Sequence, residues 1–186
     1  MAGKSLFCKG DENGRKKIKP SIEEIAASFL DENKLKSFLD FYDFLKKNKI
    51  GKAKTGRTGI NKWTIIYKNK KIGHFNFDKN SWSIDYFDLF NRNNWLEECE
   101  KYLSVEMKIF ILSNINTTSN CCVNKKCWSV ENKIILGKLF TGRVCACRPI
   151  EVFNPNGKTL EYAKELVLVG KNIITEGENI LRAQPK

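Results

Sequence analysis

Five of the seven cysteines fall in one stretch, as Cys121-Cys122, Cys127 and Cys145-Ala146-Cys147. Two groups of close thiols separated by a spacer the length of a hairpin can deliver two ligands each to one ion, which is how a tetrahedral sulfur site is built. The best four ligands are Cys122, Cys127, Cys145 and Cys147, with Cys121 competing for the place of Cys122. Zinc is the expected ion. The C-x4-C half has an ordinary spacing, and the 17 residues between Cys127 and Cys145 match many four-thiolate sites. The C-x-C half is tighter than the common C-x2-C, but a regular strand would turn Cys145 and Cys147 to the same face.

The same thiols support two other readings. Arg143 and Arg148 flank the C-x-C pair, and nearby cations favour the thiolate, so a thiol-dependent enzyme or redox sensor using Cys145 and Cys147 is the alternative. Vicinal Cys121-Cys122 could likewise be redox-active or trap a soft metal. The third reading is that several of the five pack as small buried hydrophobes, as Cys99 does on its apolar stripe. Cys8, near the start of the chain, is incidental.

A catalytic zinc would recruit histidine or carboxylate and keep an open position, and the chain has a single histidine, His74. A serine or cysteine nucleophile would need a base, for which His74 is the only conventional candidate. Asp85 and Asp88 could act with it, although nothing in the spacing singles them out. A lone histidine in a strand is expected to be a packing residue.

The formal net charge of +12 suggests an anionic partner, but six arginines against 27 lysines, with much asparagine, can also reflect composition alone. The distribution says more. Ten basic and no acidic residues lie between Lys46 and Lys71. The candidate anion-binding residues in and beside the loop and first strand are Lys52, Lys54, Arg57, Lys62, Lys68, Lys70 and Lys71. Trp63 and Tyr67 are interleaved with them, so lysines on phosphates and rings on bases would suit single-stranded nucleic acid. The bland alternative is a solvated loop with core-facing aromatics. The letters GKAKTGRT from Gly51 imitate a phosphate-binding loop, with Arg57 where lysine belongs. A helix precedes them and a strand follows, the reverse of what that loop requires.

The elements that must position these residues form an α+β chain. At 186 residues it is long enough for a sizeable core and is expected to be one compact domain overall. Its parts are a flexible leader (1–20), an α+β core lobe (21–117) and a cysteine-cluster lobe with a C-terminal helix (118–186). Ser21-Ile22-Glu23-Glu24 is a capping box that starts one helix, and Asp31 caps a second whose stripe is Leu35, Phe38, Leu39, Tyr42 and Leu45. Gly51 to Gly59 reads as a flexible basic loop. Three strands follow, Trp63–Tyr67, Lys71–Phe77 and Ser81–Tyr86, separated by turn-like residues and forming an antiparallel meander. Alternation sets Trp63, Ile65 and Tyr67 on one face, and Trp82, Ile84 and Tyr86 together likewise.

Asn91 or Asn94, and then Ser104, can cap two further helices. Short strands at Lys133–Leu136, Arg143–Cys147 and Ile150–Phe153 make the smaller β-segment, and a helix over about 159–174 closes the chain. No apolar run is long enough to span a membrane, so no membrane partner is expected. The polar N-terminus lacks a secretion signal, so a reducing cytoplasm is the expected compartment, where metal or thiol chemistry outranks disulfides. The strand text from Trp63 to Lys71, the cysteine cluster, Ile135-Leu-Gly-Lys, Val144-Cys and Phe153-Asn-Pro-Asn-Gly-Lys-Thr-Leu together resemble an uncharacterised family of small bacterial proteins with a cysteine cluster near the C-terminal third. The likeness covers roughly residues 20–175. It implies a compact cytoplasmic bacterial protein and brings no activity with it.

Overall fold

Two side-chain caps launch the chain. Ser21 Oγ accepts from the Glu24 amide at 3.1 Å while the Ser21 amide donates to Glu24 Oε2 at 2.7 Å, so the capping box is complete and starts α1 (Ile22–Phe29). Asp31 Oδ1 accepts from the Lys34 amide and starts α2 (Glu32–Lys47), which buries Phe38, Phe41, Tyr42 and Leu45. The computed structural model describes residues 20–54, 61–86, 100–115, 117, 129–145 and 150–183. The remaining elements in chain order are β1 (Gly51–Lys54), β2 (Lys62–Tyr67), β3 (Lys70–Asp78), β4 (Ser81–Tyr86), α3 (Val105–Ser113), β5 (Ser129–Ile135), β6 (Lys138–Cys145), β7 (Ile150–Phe153) and α4 (Gly157–Ala183).

Five strands form one antiparallel sheet in the order β1-β2-β3-β4-β7, and β5 and β6 form a separate hairpin. The expected α+β class and the central meander are therefore present. The meander acquires β1 on one edge and β7 on the other. Its first turn, Lys68-Asn69, has φ of 46° and 61°, the left-handed pair that suits the twist of a two-residue hairpin.

Register assigns the two faces. Trp63 stands opposite Phe75, Phe75 opposite Ile84, and Ile84 opposite Val152, while Phe77 stands opposite Trp82. This apolar face meets α2 through Phe38, whose ring centroid is 4.7 Å from Phe77, 5.4 Å from Trp82 and 5.5 Å from Phe75. Burying a ring of this size stabilises the fold by about 1.5–3 kcal/mol. The same face meets α4, where Tyr86 Oη donates to the Ala163 carbonyl at 2.5 Å. Lys164 ties α4 to α2 by reaching Asp40 at 2.9 Å, and it also meets Glu161 of its own helix at 2.8 Å. Because β7 and α4 pack on the sheet begun by residues 62–86, both ends of the described chain share one core.

Two expectations change, and the sheet adds one irregularity. Gly51–Lys54 is a strand, not a loop: Ile50 anchors in the core, and the open edge of β2 supplies a hydrogen-bonding partner to a segment of poor intrinsic β propensity. Lysines on such an edge also discourage pairing with another chain. The last helix runs to Ala183, nine residues beyond the point where its apolar repeat fades. Helix geometry does not need a buried stripe in every turn. Finally, β3 carries a bulge: Ile65 opposes Gly73 while Ile66 opposes Lys71, which leaves Ile72 as the extra residue.

Candidate functional site

The basic block divides between two ends of the sheet. Lys54 pairs with Trp63 at one end of β2, and Lys62 lies there too, whereas Lys68, Lys70 and Lys71 surround the turn at the other, about 20 Å away along the strand. The turn end is joined to the end of α2 by Lys171 of α4. Its Nζ donates to the Asn48 carbonyl at 3.0 Å and sits 5.3 Å from the Tyr67 ring centroid. Lys46, Lys47 and Lys49 on the α2 side thus share one end of the molecule with Lys68, Lys70 and Lys71. Lysines in the last turn of α2 also complement its negative dipole end, so part of this charge serves the helix.

Two tyrosines lie under these lysines. Tyr42 is buried, with Lys52 Nζ 3.9 Å and Lys46 Nζ 4.6 Å from its ring centroid. Partial burial pulls the Lys52 pKa down, against the opposing effect of Glu23. Lys46, by contrast, has its pKa raised, first by its hydrogen bond to Asp43. Tyr67, half-buried, has Lys68 at 5.6 Å as well as Lys171. Trp63 needs correction as a base-stacking candidate. It is 3% exposed and stacks on Phe75 at 5.5 Å and 11°, because its place in the β2 alternation turns it to the helices.

The opposite face of the sheet gathers polar side chains. Thr64 opposes His74, His74 opposes Asp85, and Asp85 opposes Glu151; in the next row Lys62 opposes Asn76, and Asn76 opposes Ser83. Thr64 Oγ1 and His74 Nδ1 are 3.1 Å apart, Lys62 Nζ meets Asp85 Oδ2 at 2.9 Å, and Asn76 and Ser83 are hydrogen-bonded. Ser83 Oγ also donates toward Glu151 Oε1 at 3.3 Å. Thr64, His74, Ser83 and Asp85 are all buried. Imidazole, ammonium and carboxylate on three adjacent strands form a set capable of acid–base chemistry. A buried ion pair is a poor device for stability, since its desolvation cost rivals the attraction. Spacing reaches only the His74–Asp85 pair; the β2–β3 register, with its bulge, brings Thr64 and Lys62 to it.

Most of the cysteine cluster lies outside the described residues: Cys121, Cys122, Cys127 and Cys147, as do Cys8, Cys99, Arg57, Asp88, residues 1–19 of the leader and the caps Asn91 and Asn94. Cys145 ends β6, where its backbone pairs with Ser129. Among the described residues no group of three or more His, Cys, Asp or Glu side chains is arranged to hold a metal, and no helix is long and apolar enough to cross a membrane. No family model, curated protein or solved structure matches the chain.

Proposed function

We propose that this chain is a binding module for a polyanionic partner, docked at the end of the sheet where α2, the β2–β3 turn and Lys171 meet, with the cysteine hairpin closed by zinc. The observation that carries the first part is the Lys171 bridge. It holds two lysine-bearing edges together on a helix end and a tight turn; Asp43 and Glu23 pair with Lys46 beside them, and Lys47, Lys49, Lys68 and Lys71 are exposed. Rigid placement lowers the ordering cost of binding, and clustered charge of one sign raises the encounter rate.

The zinc reading draws support from the β5–β6 register. In the sequence Cys127 stands two residues before Ser129 and Cys147 two residues after Cys145, and Ser129 pairs with Cys145. The proposed set is Cys122, Cys127, Cys145 and Cys147, with Cys121 in reserve, its two halves flanking the β5–β6 hairpin in sequence. Thiolates there would hold the ion, and the ion would fix the hairpin as a folding element.

Retention on immobilised heparin tests the polyanion reading. Wild-type protein should elute at high salt, and Lys47→Glu/Lys70→Glu/Lys71→Glu should elute much earlier with an unchanged circular dichroism spectrum. Equal elution of both proteins would remove the docking surface.

A further inference from the structure

The aromatic rings at the basic end are already occupied. Tyr42 is buried beneath Lys46 and Lys52, and Tyr67 has Lys68 and Lys171 near its ring; Trp63, at the other end of β2, is stacked on Phe75 inside the core. Proteins that hold single strands without sequence preference present aromatic faces on which bases stack. Among the described residues, this end presents ammonium groups in that place. Lys68 and Lys71 are exposed on the turn, and Lys47 and Lys49 are exposed at the end of α2.

From this we infer that the partner is a double-stranded nucleic acid gripped through its phosphates; the inference rests on the polyanion reading above. Exposed lysines on the α2 end and on the β2–β3 turn offer phosphate contacts from two edges. Lysine is a flexible point charge without the planar fork that reads guanine, so contacts of this kind position a duplex without selecting its sequence. The expected mode is tight at low salt, indifferent to sequence and steeply weakened by salt.

The test is fluorescence anisotropy of the full chain with a labelled DNA duplex, a second duplex of unrelated sequence, and each separated strand, at several salt concentrations. The expected result is that the two duplexes bind alike and at least as tightly as any strand, and that Lys70→Glu/Lys71→Glu weakens all of them together. A single strand that binds more tightly than its duplex, or a marked preference between the duplexes, overturns the inference and leaves the polyanion reading standing. Heparin retention without binding to any nucleic acid does the same. Absence of binding to heparin and nucleic acid alike overturns both.

Discussion

His74 and Asp85 stand directly opposite each other across the β3–β4 ladder, flanked by Thr64 beyond the imidazole and Lys62 on the carboxylate. One two-residue turn brings His74 to Asp85, the β2–β3 turn and its bulge bring Thr64 and Lys62, and a buried charge pair results on the side of the sheet away from the aromatic core.

That pair has a measurable signature. Asp85→Ala leaves the Lys62 ammonium without its carboxylate and should destabilise the protein by about 2–4 kcal/mol, somewhat below the cost for a fully buried pair because the Lys62 side chain is 15% exposed. Lys62→Met/Asp85→Leu should recover most of the loss. Urea denaturation of Asp85→Ala and of the double variant would measure this; a double variant no better than Asp85→Ala would show that the charges are needed by something else in the fold.

Gly73 sets how closely β3 approaches β4 beside this pair. A Cβ on Gly73 would stand 2.4 Å from the Asp85 carbonyl oxygen, and the obstacle is backbone, which cannot rotate away. Gly73→Ala should cost about 1–3 kcal/mol by forcing the strands apart. The shift should also appear in the single histidine, whose imidazole resonances are unambiguous in a nuclear magnetic resonance spectrum. Unchanged stability and an unmoved His74 signal would refute the close approach.

Asp31 gives a pH dependence of known sign. Its carboxylate is held down to about 2, chiefly by the hydrogen bonds from the Lys34 side chain and amide, against 3.8 for the ordinary group. A folded-state value below the unfolded one adds stability that is complete above the unfolded pKa and disappears as pH falls through the folded one. The difference in melting temperature between wild type and Asp31→Asn should therefore shrink as pH drops from about 5 towards 2. A constant difference over that window would contradict the assignment.

Much of the architecture was readable from residues. Ser21, Asp31 and Ser104 cap the helices that their positions suggested, and the alternation of Trp63 with Ile65 and of Trp82 with Ile84 identified the buried face. Even the His74–Asp85 pairing was within reach, since a two-residue turn at Lys79-Asn80 puts those residues opposite each other by counting. The Thr64–His74 pairing was not, because the bulge at Ile72 shifts the β2–β3 register by one residue and leaves no signal in the sequence. The basic neighbours of Trp63 suggest a stacking ring. Alternation within the strand, not local composition, decides where its indole goes.

Metal content separates the readings of the cysteines. Protein purified without added metal should carry about one zinc per chain, with thiols that react only after a chelator or denaturant is added. Metal-free protein with freely reactive thiols would reject the zinc site and favour thiol chemistry at Cys145 and Cys147.

The docking surface itself is tested most directly by the salt dependence of polyanion binding, measured for wild type and for single charge removals. Each of Lys47→Gln, Lys70→Gln and Lys71→Gln should flatten the slope of log affinity against log salt by about one, while Lys138→Gln on the separate hairpin should leave it unchanged. Equal slopes for all of these proteins, or a loss confined to Lys138→Gln, would place the binding charge elsewhere and contradict the account.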